Sequence, residues 1–285
     1  MTDSRRYREI GVTPLSAALG AQIDGVDLAQ PLSDSVMAEL KDAFATYSVI
    51  FFRDQSLSPQ QHIDLAEQWG EININRFFKP LDGYPQIAEV IKAPDQKENI
   101  GGTWHTDHSY DQIPAMGSML YARQVPPTGG DTLFASMTLA FEALSDGLKK
   151  TLLGLNAWHS SRHAFGYSVS DSEHYEDGRL ANPELAVQDA LHPVIITHPL
   201  SGKKALYVNA DFTVRFDGWT IEESRPLLDF LYAHGAREEF TCRFEWQEGS
   251  IALWDNRATW HNAMNDYHGH RRVMHRITLE GVALQ

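Results

Sequence analysis

The chain has 285 residues and a formal net charge of −14 at pH 7, with 42% hydrophobic and 22% charged residues. This composition is typical of an ordinary soluble globular protein that is long enough to bury a full core. The negative charge argues against nucleic acid and anionic membrane surfaces as partners, and no apolar run approaches the roughly 18 residues of a membrane span.

The first residues give no sign of export. Residues 1–9 carry three arginines but no apolar segment follows them, so we expect no secretory signal. The chain has a single cysteine, Cys242, which excludes an intramolecular disulfide and fits a reducing cytoplasm. Because Cys242 lies in a strand-like run, we expect it to be a small buried hydrophobic residue.

Helix signals are clear in three places along the chain. Ser33 precedes an amphipathic stretch that extends to about residue 47, and Ser58 precedes a proline at the first helical position. Thr220 and Glu223 form a capping box, and that helix is predicted to stop at Gly235.

Short apolar runs of strand type outnumber these helices, and each is bounded by Gly, Pro, Asn or Asp. They lie at residues 49–52, 119–123, 194–197, 205–208, 250–254 and 273–279. Because strands and helices do not alternate regularly, the pattern argues against a doubly wound α/β fold. It predicts a mainly β protein with flanking helices, built as a double-layer β barrel.

We expect residues 1–285 to form one domain. Residues 163–184, rich in Ser, Asp and Tyr, are predicted to be an insertion or a lid, although an idle surface loop has the same composition.

Two histidines and one aspartate suggest a metal site. His105 and Asp107 are two residues apart, so in an extended segment both side chains point to the same side. His261 follows 156 residues later. Such a triad on one face of a ferrous ion leaves the opposite face open for a co-substrate and O2. Taken alone, however, a His-x-Asp triplet is also typical of a hydrogen-bonded surface pair, and a histidine among aromatic residues is often a core residue.

Arg272 follows His261 by 11 residues and can clamp a distant carboxylate of a dicarboxylate co-substrate. In a strand, Arg272 and Arg276 share one face, whereas Arg271 and His275 share the other. We expect Arg271 to be a solvated charge and His275 to be a core residue.

Several segments together resemble the taurine dioxygenase family of iron(II)- and 2-oxoglutarate-dependent oxygenases. They are Trp-His-Thr-Asp at 104–107, Gly-Gly-Asp-Thr at 129–132, residues 192–209 and residues 254–276. The resemblance implies a double-stranded β-helix, or jelly-roll, core. It implies that His105, Asp107 and His261 bind Fe(II), and that Thr132 and Arg272 bind 2-oxoglutarate. It further implies that Arg276 meets an anionic substrate or the co-substrate.

The resemblance weakens at the substrate end. Where the taurine enzyme has a histidine, a tyrosine and an asparagine, this chain has Asn75, Phe78 and Gly101, while Phe165 keeps an aromatic wall. A pocket that loses polar anchors and gains a phenyl ring prefers a more apolar molecule. We therefore expect a small organic anion, such as an aryloxyalkanoate or an alkyl sulfate or sulfonate, rather than taurine.

Three neighbours of the metal motif have no settled role at this stage. His108 has the opposite strand parity to Asp107, so we leave it out of the ligand set. Tyr110 and Trp104 could wall the substrate pocket or could be core aromatics.

Other functions stay open. A zinc hydrolase could use the same three ligands with a bound water, a non-catalytic barrel could bind a metal or small anion, and a family member could desaturate or cyclise its substrate. A homo-oligomer is also expected.

Overall fold

The computed structural model describes residues 6–284. The prediction that the N-terminus is not a secretory signal concerned residues 1–9, and residues 1–5 of that stretch lie outside the described residues. Within them, no helix combines the length and the apolar character that crossing a membrane requires.

Strands form the body of the protein. In chain order they are β1 (Gly11–Pro14), β2 (Ala21–Asp24), β3 (Val49–Phe52), β4 (Ile72–Asn73), β5 (Pro80–Leu81), β6 (Tyr84–Lys92), β7 (Gly117–Gln124), β8 (Thr132–Ser136), β9 (Asn156–Ser160), β10 (Asp189–Pro193), β11 (Ile195–Thr197), β12 (Lys204–Leu206), β13 (Thr213–Phe216), β14 (Thr241–Phe244), β15 (Ile251–Asp255), β16 (Thr259–Ala263) and β17 (Arg272–Leu279). All six predicted strand runs overlap one of these strands.

Helices lie between and around the strands. They are α1 (Asp34–Tyr47), α2 (Pro59–Glu67), α3 (Met137–Glu142), α4 (Asp146–Leu152), α5 (Arg162–Phe165), α6 (Glu173–Glu176) and α7 (Ile221–Gly235), with short 3-10 turns at Tyr167–Val169, Pro183–Leu185 and Glu238–Phe240. The predicted caps are confirmed: the Ser33 hydroxyl accepts from the Val36 amide, and Ser58 and Thr220 each form a complete capping box.

The largest sheet has nine strands in the order β1-β2-β3-β15-β7-β17-β6-β5, with β4 also paired to β17. A second sheet has the order β14-β8-β16, and smaller sheets are formed by β10-β9-β13 and β11-β12. Most pairs are antiparallel, whereas β2 and β3 run parallel. This mainly β, two-layer arrangement agrees with the predicted fold class.

The barrel core lies between the nine-stranded sheet and the β14-β8-β16 sheet. Phe51, Phe134, Phe244, Trp254 and Met274 form one buried cluster there, and the rings of Phe51 and Phe244 stack with centroids 4.0 Å apart. Burial of such large apolar side chains, each worth about 1.5–3 kcal/mol, holds the two sheets together. The cluster also includes Cys242, which is buried as expected.

The opposite face of the large sheet carries α1 and α2. Leu40 and Phe44 of α1 and Ile63 of α2 pack in one buried cluster with Leu253 and Ile277 of the sheet. The amphipathic pattern of the two helices therefore covers the outer layer of the barrel and leaves its interior for the site.

Gly235 ends α7, as predicted, but for a more specific reason than helix capping. A Cβ atom added there would lie 2.5 Å from the ring of Trp260. Only glycine lets α7 approach the strand that carries His261 so closely.

Candidate active site

His105 and His261 meet through a backbone bridge. The His261 amide donates to the His105 carbonyl at 2.8 Å, and the His105 amide donates to the His261 carbonyl at 3.1 Å. The two ring centroids are 4.1 Å apart, and Asp107 Oδ1 lies 3.7 Å from His105 Nε2 and 4.0 Å from His261 Nε2. One ligand atom from each residue lies within 4.8 Å of the others. The structure thus brings the predicted triad together.

Two members of the triad, Asp107 and His261, have the charge states that metal binding requires. Burial opposes ionisation of Asp107, but Arg276, His261 and His105 together outweigh it and hold the pKa of that carboxyl well below its usual range. Burial, reinforced by His105, lowers the pKa of His261 to about 3. A carboxylate beside a neutral imidazole is the protonation pattern in which these groups coordinate metals.

His105 is held in one tautomer. Its Nδ1 lies 2.8 Å from the Thr103 carbonyl, which can only accept, so Nδ1 carries the proton and Nε2 is free. Asp211 Oδ2 lies 3.6 Å from the same Nδ1, and the Thr103 hydroxyl donates to Asp211 Oδ1 at 2.5 Å. Asp211 therefore reinforces the orientation of His105, a contribution that the sequence did not suggest.

Gly101 lies directly against the metal-facing side of His105. It has a φ of +82°, and an added Cβ would be 3.2 Å from His105 Cε1 and 3.7 Å from Nε2. Both the positive φ and the close approach favour glycine. A Cβ atom here would push the His105 ring by a few tenths of an ångström.

Arg272 is a buried cation that lines the cavity beside the triad. It is 5% exposed, and within residues 6–284 its Nε and Nη2 find no hydrogen-bond acceptor. Burial lowers the pKa of Arg272, so its surroundings oppose its charge. Burying such an unpaired guanidinium is costly, and an anion that pairs with it offsets that cost.

Thr132 is oriented toward the same cavity. The indole Nε1 of Trp246, which can only donate, lies 2.9 Å from Thr132 Oγ1, so the threonine oxygen accepts there and keeps its own proton free. The guanidinium carbon of Arg272 lies 5.8 Å from the centre of a ring of Trp246. The pair therefore places a charged donor and a neutral donor at the same cavity.

Arg276 stands between the triad and the apolar wall. Its Nη1 is 3.4 Å from Asp107 Oδ1, and its guanidinium lies 4.4 Å from the centre of the Phe78 ring. Its Nε is buried and has no hydrogen-bond partner in the part of the chain that the structure describes. As predicted, Arg271 is exposed and His275 is buried.

The triad and both arginines open into one cavity of about 390 Å³. All the residues predicted from the sequence to bind metal, co-substrate or substrate line it. Phe165 stacks on Phe77 with ring centroids 4.4 Å apart. Asn75 Oδ1 accepts from the amides of Phe77 and Phe78, both at 2.9 Å, so this oxygen shapes the turn and only the amide nitrogen remains for a ligand.

His108 lies outside the ligand set, as predicted, but not for the predicted reason of strand parity. Residues 107–110 form a turn, and His108 has a φ of +59°, so alternation does not apply and its ring lines the cavity. Its Nδ1 lies 3.0 Å from Asp111 Oδ2, and Arg76 binds that carboxylate at 2.7 and 2.8 Å. His108 nevertheless stands outside the group of three possible ligands.

The two aromatic neighbours have different positions. Tyr110 lines the cavity, with its ring centroid 4.9 Å from that of Phe212. Trp104 instead packs against a separate apolar cluster. Tyr110 is thus a wall of the pocket and Trp104 is a packing residue.

Residues 163–184 contribute to the wall of the cavity. His163, Phe165, His174 and Leu180 of this segment line it, and Leu180 forms a backbone bridge with Phe78. His163 Nε2 also approaches the Asp211 carbonyl at 2.6 Å. The segment therefore forms part of the cavity wall and is not a remote loop.

Comparisons with known proteins agree with this geometry. A family model described as "Taurine catabolism dioxygenase TauD, TfdA family" matches residues 11–278. An alkylsulfatase of Acinetobacter baylyi is 34% identical over 277 residues, covering 96% of this chain and 86% of the relative.

Two further relatives extend the comparison. An alpha-ketoglutarate-dependent 2,4-dichlorophenoxyacetate dioxygenase of Cupriavidus pinatubonensis is 31% identical over 282 residues, covering 93% of this chain and 96% of the relative. The crystal structure of a protein described as a putative alpha-ketoglutarate-dependent taurine dioxygenase from Burkholderia xenovorans superposes with a TM-score of 0.82 at 35% identity, covering 96% of this chain and 94% of that one. Alpha-ketoglutarate is another name for 2-oxoglutarate. The chain therefore belongs to the TauD, TfdA family and is an iron(II)- and 2-oxoglutarate-dependent dioxygenase with a jelly-roll core.

Proposed function

We propose that the protein oxidises a small alkyl sulfate ester, using iron(II) held by His105, Asp107 and His261. The observation that carries the proposal is the single cavity in which this buried triad faces two arginines, each with unpaired nitrogens among the described residues, and an aromatic wall. Two imidazoles and one carboxylate suit iron(II) and leave room beside it for a chelating co-substrate. The alkylsulfatase relative supports the sulfate ester as substrate.

Arg272 and Thr132 bind the distal carboxylate of the 2-oxoglutarate co-substrate. Both present donors into the cavity, and the anion relieves the cost of burying the guanidinium. The protein's contribution here is orientation, because a co-substrate fixed at its far end presents its keto acid to the metal in one pose.

Arg276, Phe78 and Phe165 bind the substrate. The guanidinium of Arg276 offers donors to the sulfate, while Phe78 and Phe165 contact the alkyl chain. The pocket thus combines one charged anchor with an apolar wall, which favours a molecule less polar than taurine. We further propose that residues 163–184 act as a lid that keeps water from the bound substrate.

Bound iron(II) supplies oxidation of a substrate C–H bond by O2, with 2-oxoglutarate leaving as succinate and CO2. If the attacked carbon carries the sulfate oxygen, the hydroxylated product breaks its C–O bond to sulfate and leaves an aldehyde. The expected products are therefore succinate, CO2, aldehyde and inorganic sulfate in equal amounts.

The test is anaerobic reconstitution with Fe(II), 2-oxoglutarate and hexyl sulfate, followed by air. Succinate and sulfate should appear together, and His261→Ala should abolish both and weaken iron binding. Sulfate release without O2 or 2-oxoglutarate would instead favour a zinc hydrolase. Iron uptake without succinate would favour a non-catalytic barrel.

An aryloxyalkanoate is the second candidate substrate. The rings of Phe78, Tyr110, Phe165 and Phe212 surround the cavity, and one relative is a dichlorophenoxyacetate dioxygenase. Running phenoxyacetate and taurine beside hexyl sulfate in the same assay ranks the substrates by kcat/KM. Succinate formed without an oxygenated product would point to desaturation or cyclisation.

A further inference from the structure

The two oxygens of the Asp107 carboxylate have different surroundings. Oδ1 faces the two imidazoles and Arg276. Oδ2 lies 2.8 Å from the hydroxyl of Ser118, a residue of β7 that is fully buried. The carboxylate therefore presents one oxygen to the triad and has the other engaged by the protein.

The hydrogen bonds behind Ser118 have a fixed direction. Trp254 Nε1 lies 2.8 Å from Asn256 Oδ1, and an indole N–H can only donate, so this end of the Asn256 amide is the acceptor. Asn256 Nδ2 then donates to Ser118 Oγ at 3.3 Å. The ionised Asp107 carboxylate can only accept, so the single proton of Ser118 goes to Asp107 while the Ser118 oxygen accepts from Asn256.

All four residues of this hydrogen-bond series are buried. Trp254 and Asn256 are 1% exposed, Ser118 is 0% exposed and Asp107 is 6% exposed. Water therefore competes weakly for these bonds, and a hydrogen bond to an ionised carboxylate is among the stronger ones in a protein.

We infer that Ser118, directed by Asn256 and Trp254, is a positioning residue that keeps Asp107 a one-oxygen ligand. The inference rests on the proposed iron site. An iron(II) ion held by one atom from each of His105, Asp107 and His261 would leave room for a keto acid to bind it through two oxygens. If Oδ2 of Asp107 also bound the ion, that room would be reduced. The Ser118 bond therefore protects co-substrate binding rather than the binding of iron itself.

The experiment compares Ser118→Ala, Asn256→Ala and the double variant with the unmodified protein. Under anaerobic conditions, Fe(II) affinity is measured first, and 2-oxoglutarate is then titrated at saturating Fe(II) while its charge-transfer absorption is followed. Ser224→Ala is the matched control, because Ser224 is also fully buried and makes two hydrogen bonds, to the Thr220 carbonyl and from the Phe216 amide.

Ser118→Ala should raise the Kd for the co-substrate by about tenfold and change the Kd for Fe(II) much less. The double variant should be little worse than Ser118→Ala alone, because Asn256 acts on Asp107 only through its hydrogen bond to Ser118. Ser224→Ala should lower the Tm but leave both Kd values unchanged.

An unchanged co-substrate Kd in Ser118→Ala would overturn the inference, and so would a loss confined to Fe(II) affinity. If the unmodified protein itself gave no charge-transfer absorption with Fe(II) and 2-oxoglutarate, the proposed function would fail instead. The two failures are therefore distinguishable.

Discussion

The cavity has two walls that are built in different ways. The co-substrate wall comes from strands: Arg272 lies on β17, which pairs with both β6 and β7, and Thr132 begins β8. Arg276, the proposed anchor of the substrate, lies on β17 as well. The substrate wall comes from turns and short helices, at 75–78, 100–110, 163–184 and 210–212. A strand with neighbours on both sides fixes its side chains through many backbone bonds, whereas loops can vary without disturbing the sheet. We infer that the strand wall fixes the co-substrate and the charged end of the substrate, whereas the loop wall carries His105 and Asp107 of the triad and shapes the rest of the substrate pocket.

The largest expected effect comes from removing Arg272. Arg272→Ala should raise the KM for the co-substrate by about a hundredfold, because two charge-assisted hydrogen bonds are lost at roughly 1.5–3 kcal/mol each, with partial compensation by Thr132. The KM for hexyl sulfate should change less than about threefold. Both KM values come from the rate of succinate formation, measured while the concentration of 2-oxoglutarate or of hexyl sulfate is varied and the other is kept saturating. Arg271→Ala, an exposed neighbour, serves as control, and an equal rise in both KM values would break the separation of the walls.

A smaller effect is expected from removing the hydrogen bonds that hold residues 163–184, the proposed lid, in place. Arg179 binds Asp177 at 2.8 Å and the Glu98 carbonyl at 2.7 Å, which ties residues 163–184 to the loop beneath. Arg179→Ala should raise the KM for hexyl sulfate by about tenfold, since each lost charged hydrogen bond is worth about 1.5–3 kcal/mol. The KM for the co-substrate should stay constant.

Limited proteolysis supplies a second measurement for this variant. Cleavage within residues 163–184 should become faster in Arg179→Ala and stay slow in Arg225→Ala. Arg225 is an exposed arginine whose Nη1 lies 3.8 Å from Asp229 Oδ1. Unchanged kinetics combined with faster cleavage would mean that the segment does not cover the bound substrate.

The smallest effect should follow from Phe165→Ala. The lost aromatic contact is worth about 0.5–1.5 kcal/mol, so the KM for hexyl sulfate should rise by about threefold to tenfold while co-substrate binding is unchanged. Steady-state kinetics with ethyl, hexyl and decyl sulfates would show whether the loss grows with chain length. Tyr167, which is 71% exposed in the same segment, offers Tyr167→Ala as a control that should have no effect.

The difference between the strand wall and the loop wall also explains which parts of the structure could be predicted from the sequence. Strand periodicity placed Arg272 and Arg276 on one face of β17, and both line the cavity. The helix caps at Ser33, Ser58 and Thr220 were also correctly predicted, because caps depend on residues only three positions apart.

The substrate wall was harder to predict, because its contacts depend on turns and on pairing between distant segments. The left-handed conformation of His108 defeats an argument from alternation. Ser118 and Asp211 reach the triad only through sheet register and loop position, and nothing local in the sequence marks them. The expected cytoplasmic location and homo-oligomer stay predictions.

β17 has a consequence for how the protein is made. It occupies residues 272–279, so it is the last strand to leave the ribosome among those described, yet it sits between β6 and β7 inside the largest sheet. Until it inserts, its two neighbours expose unpaired backbone groups that can recruit other chains. The nascent enzyme should therefore be prone to aggregation until residues 272–279 have left the ribosome, and 2-oxoglutarate, which needs Arg272, cannot assist folding before that moment.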